Sequence, residues 1–565
     1  MKPLEIISSL LVEIYGEQKG RAAFKRIYEI VEAFPCERHQ PQKIFSQKDV
    51  VLITYGDTLL DAEKSALAVL KEFADGYLKE AVTAIHLLPF FPFSSDDGFA
   101  VIDFLTVDSA LGNWDDIAAL KGDFDLMFDW VLNHVSAQSP WFQNYLSNKK
   151  GFEQLAIEVD PKMDLSQVTR PRTLPLLTPF SKKDGQTVHL WTTFSPDQID
   201  LNYKSIDVLL KMIEVLLFYI QKGAVILRLD AVAYLWKEVG TNCIHHLKTH
   251  ALVRLFRAVL DQVAPHVAII TETNVPHQEN IAYFGDHGNE AQMVYNFSLP
   301  PLLLHTFLTE ESHILSRWLS DLQTGSTMTT FFNFTASHDG IGVRPLEGIL
   351  TERQMAVLIE RVSQNGGRVS YRNNPDGTRS PYEINITYLD ALRQKSDTDQ
   401  DHIQRFLASQ ALALALPGVP GVYIHSLLGS RNWQEGVLKT GQPRSINRRK
   451  LPQEEVVMEL NDPNSFRAKI FFCYRSLLKL RRKQPAFHPN SAWKVLDLGS
   501  KVFCLVREAD QQKIYALTNV SSESLEVSIP EENLSRKIRD LITQEKYTLN
   551  RIRLLPHQTL WLNDT

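Results

Sequence analysis

Cysteine is scarce: four residues in 565, Cys36, Cys243, Cys473 and Cys504, with no CxxC spacing among them. That speaks against a cysteine-based zinc site and a disulfide framework, and for reduced thiols in a reducing compartment. Long apolar runs are missing too. None approaches the roughly 18 residues that a bilayer-spanning helix needs. The opening Met1-Lys-Pro-Leu-Glu-Ile-Ile carries Glu5 and Glu13 around a short apolar stretch. It lacks the long apolar segment and small-residue cleavage site of a secretory signal. A cytoplasmic protein without a membrane partner is expected.

Neither sign of charge dominates. Sixty Lys and Arg face 66 Asp and Glu, for a net charge of −6. A nucleic acid or an anionic membrane surface would find no basic field here. No GxGxxG follows an early strand and no GxxxxGK[ST] occurs, so a nucleotide fold lacks its usual signals. HExxH and HxH are absent, as are internal repeats and low-complexity runs. No cofactor and no metal are expected.

What is present is a soluble globular composition, 44% hydrophobic and 22% charged, in a chain longer than one ordinary domain. Aromatics reach 10% and include nine Trp. Flat apolar faces suit sugars, but ordinary cores use them as well.

Along the chain, residues 1–46 read as a helical extension. Leu4, Ile7, Leu10, Leu11 and Ile14 recur at three and four, as do Phe24, Ile27, Ile30 and Val31, until Pro35 and Pro41 break the pattern. From Val50 short apolar runs alternate with helical stretches. Candidate strands are Val50–Tyr55, Ala84–Pro89, Asp125–Trp130, Val225–Asp230, Val267–Glu272, Met293–Phe297, Thr329–Thr335 and Gly421–Ile424. Helical patterns include Asp61–Phe73, Ser205–Lys222, Lys248–Val263 and Asp401–Leu416. This alternation predicts an α/β protein with a (β/α)8 barrel over residues 47–487, an open doubly wound sheet being the alternative. Two interruptions are too long for ordinary loops, 136–199 after the third strand and 340–397 after the seventh. Both would rise from the face where barrel active sites lie. A final helix over 464–484 bears Arg475, Lys479, Arg481, Arg482 and Lys483, which reads as a solvated face. Residues 488–565 turn to short strands and predict a C-terminal all-β domain.

The chemistry collects at strand ends. Ala224-Val-Ile-Leu-Arg-Leu-Asp230 is an apolar strand closing on Arg228 and Asp230, which share a face because side chains alternate. Unpaired charges are costly to bury, so the pair marks either a site or a structural ion pair. Asp57 lies past the first strand, His86 in the second, and Asp129 with Asn133-His134 at the third. Glu272 ends the fifth, and Ser337-His338-Asp339 follows the seventh. In a barrel these ends converge. Several acids around an Arg suit glycosyl transfer through an oxocarbenium-like state: one carboxylate attacks, one acid protonates the leaving oxygen, and others hold hydroxyls. A metal site is the rival, but Arg228 beside Asp230 would repel a cation.

These residues resemble the α-amylase superfamily. Its four short motifs stand in order as Asp129-Trp-Val-Leu-Asn-His134, Leu227-Arg-Leu-Asp-Ala231, Ile270-Thr-Glu-Thr273 and Ala336-Ser-His-Asp339, with Gln198-Ile-Asp-Leu-Asn202 closing the first insertion. The resemblance covers residues 48–565. It implies a catalytic barrel, a B domain at 136–199 and a C-terminal β-sandwich. It also implies Asp230 as nucleophile, Glu272 as general acid/base and Asp339 as transition-state stabiliser. Within the superfamily, His86-Leu-Leu-Pro-Phe-Phe-Pro-Phe-Ser-Ser-Asp-Asp-Gly-Phe99, Arg170-Pro-Arg172, His338-Asp-Gly-Ile-Gly-Val343 and Ser445-Ile-Asn-Arg448 are similar to the sucrose phosphorylase group. That likeness implies glucose contacts from Asp57 and Arg448, Phe194 and Gln198, with His86, His134, Arg228, Tyr234 and His338 around them. Arg172 would face phosphate or acceptor.

Two stretches depart from sucrose phosphorylases: Thr273-Asn274 after Glu272, and Glu383 in Gly377-Thr-Arg-Ser-Pro-Tyr-Glu-Ile-Asn. With the N-terminal helices and the loop Thr169–Pro179, they look more like the glucosylglycerate phosphorylases of the same group. The likeness implies α-glucoside, inorganic phosphate and glycerate as small-molecule partners, with Arg172 and Arg379 on the carboxylate and Tyr382 and Glu383 nearby. Sucrose or glucosylglycerol phosphorolysis, a plain α-glucosidase and a catalytically dead scaffold are the competing expectations.

Overall fold

Eight of the apolar runs pair with one another in sequence order. They are β1 (Val51–Thr54), β2 (Ala84–Leu87), β3 (Asp125–Trp130), β4 (Ala224–Leu229), β5 (Ala268–Thr271), β6 (Met293–Tyr295), β7 (Thr330–Phe334) and β8 (Val419–Tyr423). All are parallel and the sheet closes, β8 onto β1, so the barrel is formed and an open sheet is ruled out. The computed structural model describes residues 2–35, 45–172, 174–323, 326–373, 378–530 and 537–563. Cys36, Pro41, Thr173 and residues 374–377 lie outside those residues. A sheet covered on both faces needs apolar residues on both, and every residue of β1, β2, β5 and β7 is buried. β8 begins two residues ahead of the expected Gly421 because Pro420, which lacks only a donor, still pairs in register with Asn333.

Local signals explain where helices start. The helix expected from Asp61 begins only at Ala66, because Ser65 caps it by accepting from the Ala68 N–H. The two N-terminal helices, α1 (Pro3–Tyr15) and α2 (Glu17–Ala33), meet at Gly16, whose φ of +80° strains any other residue. They lie over the barrel's outer helices. Tyr15 Oη donates to the Tyr203 carbonyl at 2.8 Å, Arg26 pairs with Asp207 at 2.7 Å, and Arg254 pairs with Glu13 at 3.0 Å.

The two long insertions carry structure of their own. The first holds the hairpin Leu177–Ser181/Thr187–Trp191 and the short pair His134–Ser136/Gln198–Asp200. Lys237, buried, pins it down: its ammonium lies 2.6 Å from Asp200 and 2.6 Å from Asn133 Oδ1 at the end of β3. The second holds helix Glu352–Gln364 and a three-stranded sheet in which Ile341–Gly342 pairs with Arg379–Asn385 and that with Arg368–Asn373.

The C-terminal sheet domain has six antiparallel strands facing a two-stranded sheet, Leu525–Val527 with Ile552–Leu554. Its central strands are buried on both faces. Val502, Cys504 and Val506 point into the domain's own core, whereas Phe503, Leu505 and Trp561 join the barrel's core. The basic helix Phe466–Arg481 ends at this seam and corrects one expectation. Arg481 is fully buried rather than solvated, donating to the carbonyls of Leu414, Gly418, Phe487 and Gln47. Arg507 does the same for Ala415 and His488. Arginine satisfies many carbonyls at once because its five donors fan out in a plane.

Candidate active site

Register brings the first charges together. β3 and β4 pair so that Asp129 lies directly opposite Arg228. Both are buried, and their side chains form an ion pair at 2.5 Å. His86, from β2, approaches the other oxygen of Asp129, with its Nε2 at 2.8 Å. Burial opposes ionisation of Asp129, but Arg228 and His86 outweigh it and hold its carboxyl below the usual range. Asp129 thereby fixes Arg228, which donates from the same Nη1 to Asp230 Oδ1 at 2.9 Å. Its Nη2 lies 3.9 Å from Glu272.

Beyond Asp230 the chain turns sharply. Ala231 takes φ +51° and opens the single turn Val232–Tyr234. A left-handed alanine costs about 1 kcal/mol, and the turn accomplishes three things. The Asp230 N–H donates to the Trp130 carbonyl at 3.2 Å, the Ala231 N–H donates to the Glu272 carboxylate, and Tyr234 is brought to the barrel mouth. The ends of β3, β4 and β5 are thus tied through one turn.

Asp339 comes from the loop after β7. Arg444 approaches it at 2.5 Å and His338 Nε2 at 3.4 Å, with Arg448 at 3.9 Å. Arg444 also grips Glu383 with two donors, at 3.0 and 2.6 Å. Gly340 is required here: a Cβ on it would lie 2.5 Å from Glu383 Cγ and 2.7 Å from the Ile384 carbonyl oxygen. His338 stacks on Phe99, ring centroids 5.0 Å apart, and burial holds it well below its ordinary value, hence neutral.

Three carboxyls in one enclosed space cannot all be ionised cheaply. Burial opposes ionisation of Asp339 too, but Arg444, His338 and Arg228 hold its carboxyl far below the usual range. Burial pushes Asp230 and Glu272 up, and neighbouring carboxylates add to it. The two compete for Arg228, which stands 2.9 Å from Asp230 and 3.9 Å from Glu272. The nearer guanidinium favours the ionised form of Asp230 more than that of Glu272.

The chamber at the barrel mouth gathers most of the expected residues. Asp230, Glu272 and Asp339 line it together with Arg228 and His338. His134, Phe194, Gln198 and Tyr234 form one wall, and Arg172 and Tyr382 reach it from the two insertions. Glu383 and Arg448 line the recess next to it. Three expectations fare differently. His86 is buried behind Asp129 and lines neither space. Asp57 is taken up by Lys450 in an ion pair and lies apart from the chamber. Arg379 is exposed at the start of its strand and lines neither space.

Two residues escaped the sequence reading. Asp96 lines the chamber and accepts from Gln198 Nε2 at 3.1 Å, in a loop where Asp96, Asp97 and Gly98 all have positive φ. Asp97 pairs with Arg448. The sequence signal was the doubled Asp before Gly98. Arg444 is the other, immediately ahead of the Ser445-Ile-Asn-Arg448 stretch. Among the described residues no group of three or more His, Cys, Asp or Glu is arranged to hold a metal ion, and no helix is long and apolar enough to cross a membrane.

Comparison with known proteins places this geometry. The family model described as alpha amylase, catalytic domain, matches residues 75–340. Glucosylglycerate phosphorylase of Escherichia coli (strain K12) is 47% identical over 558 residues, covering 98% of this chain and 99% of its own. The enzyme of that name from Spirochaeta thermophila is 46% identical over 539 residues, covering 94% and 91%. Among solved structures, sucrose 6F-phosphate phosphorylase from Thermoanaerobacter thermosaccharolyticum superposes with a TM-score of 0.74 at 25% identity, over 90% of this chain and 98% of that one.

Proposed function

Because the chain belongs to the glycoside phosphorylase branch of the α-amylase family, we propose that it catalyses the reversible phosphorolysis of 2-O-α-glucosylglycerate to α-glucose 1-phosphate and glycerate, with retention of configuration. The observation that carries this reading is the guanidinium of Arg172, which has no hydrogen-bond or ion-pair partner among the described residues and lines the same chamber as Asp230, Glu272 and Asp339. Three carboxyls suit glucosyl transfer, and such a guanidinium suits an anionic co-substrate. Near-complete alignment with glucosylglycerate phosphorylases at 46–47% identity supports the choice of glycerate.

In the forward direction Asp230, ionised beside Arg228, attacks the anomeric carbon while Glu272 gives its proton to the departing glycerate oxygen. The product is a glucosyl ester of Asp230. Asp339, ionised throughout because Arg444 and His338 face it, stabilises the positive charge that develops on the sugar. A phosphate oxygen then attacks the same carbon from the side the glycerate left, and Asp230 departs as carboxylate. Two inversions restore the α configuration. Phosphate is already acidic and needs little help from a base, so Glu272 matters most in the first step. Gln198, His134 and Asp96 offer polar contacts to the sugar, and Phe194 and Tyr234, edge to face with centroids 5.5 Å apart, offer it apolar faces.

The test is acceptor choice. With α-glucose 1-phosphate as donor, phosphate release is followed with glycerate, glycerol, fructose or water as acceptor. Glycerate should be used best. Preference for fructose or glycerol would move the assignment to another member of the group, and release with water alone would make the protein a hydrolase.

A further inference from the structure

A groove of about 540 Å³ opens beside the chamber, lined by Thr169, Asn242, His245, His246, Glu279 and Arg344 among others. It shares a wall with the chamber. Thr169 donates its N–H to the Asn242 carbonyl at 2.9 Å, and two residues later Pro171 and Arg172 line the chamber. The His245 N–H donates to the carbonyl of Ala233, another chamber residue, at 3.1 Å. On the far side the Val343 N–H donates to the carbonyl of Tyr382 at 3.1 Å, which fixes Arg344 relative to the insertion that overhangs the mouth.

Arg344 is the arginine of the groove's lining. Its side chain is half-buried, its Nε is enclosed, and among the described residues no acceptor answers that Nε, as is also true of several other arginines. Enclosing an unanswered donor is costly, and an anion in the groove would answer it. The groove's one carboxylate, Glu279, lies 3.1 Å from His245 Nε2 instead. His245 itself is held neutral, down at about 4, by burial first and then by its neighbours His250 and Arg344.

The chamber offers an anion little free positive charge. Asp230, Asp339 and Asp96 face it, and two of its three arginines are engaged, Arg228 by Asp230 and Arg444 by Asp339 and Glu383, in a chain of net charge −6. Arg172 is left to attract an incoming anion, and a fixed cation outside the mouth raises the rate of capture. We infer that the groove around Arg344 is an anion-docking site that delivers phosphate, and the carboxylate of the acceptor, to Arg172. The inference rests on the phosphorylase reading above and adds to it a second cationic position outside the reaction chamber.

The experiment compares wild type with Arg344→Met and Arg344→Lys. Arg353→Met serves as a control that removes a positive charge from an exposed helical residue. Turnover of an aryl α-glucoside is measured against inorganic phosphate concentration. Arg344→Met should raise the KM for phosphate about tenfold, with kcat at saturating phosphate within about twofold of wild type. Arg344→Lys should recover part of the loss, and Arg353→Met should match wild type. An unchanged KM in Arg344→Met, or an equal rise in Arg353→Met, overturns the docking site. If wild type shows no phosphate-dependent turnover, the phosphorylase reading fails on its own. Calorimetric binding of inorganic phosphate then decides the groove: weaker binding by Arg344→Met upholds it, and equal binding overturns it.

Discussion

Arg444 meets Glu383 as a fork, its Nε 3.0 Å from one carboxylate oxygen and its Nη2 2.6 Å from the other. The same guanidinium reaches Asp339, so a residue of the second insertion and the carboxylate after β7 share one cation. Glu383→Gln keeps the volume and removes the charge. The enclosed guanidinium then loses half its pairing, and the protein should lose on the order of 1–3 kcal/mol of stability. Phosphate should bind more tightly with one carboxylate fewer beside the chamber. Urea unfolding and phosphate KM read both effects, and a midpoint equal to wild type would show the fork to be dispensable.

Asp230→Asn should abolish turnover while the fold survives, since Arg228 keeps Asp129 as its partner. In the active enzyme the first glucose phosphate formed should be the α anomer, read by proton NMR before mutarotation of any free sugar. A β product would rule out double displacement.

Glu272→Gln should make the protein more stable at neutral pH even as it slows phosphorolysis. Burial and nearby Asp339 raise the folded carboxyl above its unfolded value. Within that window the folded state binds more protons than the unfolded state, so stability falls as pH rises through it. Glutamine escapes the fall. The gain, on the order of 1 kcal/mol, should be present at pH 7–8 and close toward about pH 4, where an ordinary Glu is itself protonated. Thermal midpoints of the two proteins across that range are the measurement, and parallel curves would contradict the raised value.

Arg172 and Arg379 are both expected at the acceptor's carboxylate, Arg172 more strongly and with phosphate as a second anion; Arg172 lines the chamber and Arg379 does not. Arg172→Ala should raise the KM for glycerate and phosphate roughly thirtyfold, the equivalent of about 2 kcal/mol. Neutral acceptors such as glycerol should be affected little. Arg379→Ala, at an exposed position away from the chamber, should leave all acceptors within about twofold. Glycerate kinetics that fall only in the Arg379 variant would reverse this assignment.

Much of this site could be read from the sequence because barrel strands end at one face and their alternation is strict. Arg228 and Asp230 had to share a side, and Asp129 and Glu272, at the ends of neighbouring strands, had to join them. Loop residues carry no such period. Asp57 follows β1 as closely as Asp339 follows β7, yet Lys450 holds it away, while Asp96 reaches the chamber from a loop of left-handed residues. Nothing in a spacing predicts that choice. Arg481 was hidden for another reason: a basic run at a helix end looks solvated unless one knows which carbonyls surround it.

Lys237 offers a test of how the first insertion is held. Its ammonium is buried between Asp200 and Asn133, and burial lowers its pKa. Among the described residues, Lys237→Met leaves Asp200 with the Thr193 N–H at 2.9 Å and hydroxyl at 2.6 Å, and a weak Asn133 contact at 3.4 Å. Removing one partner of a buried pair costs roughly 3–5 kcal/mol. Limited proteolysis should then cut within 136–199 before the barrel is touched. Cleavage spread evenly along the chain would show that the clamp is not local.

The two-faced strands of the C-terminal sheet bear on how the molecule is made. Phe503, Leu505 and Trp561 cover a surface that is finished, in order of synthesis, by Phe487, whose ring meets Trp561 with centroids 4.9 Å apart. A ribosome adds residues at roughly 5–20 per second, so a nascent barrel carries a bare apolar flank for several seconds until its last strand emerges. A stop codon placed ahead of Trp561 should therefore yield a product that chaperones retain and proteases clear, although every residue of the reaction chamber has already been translated.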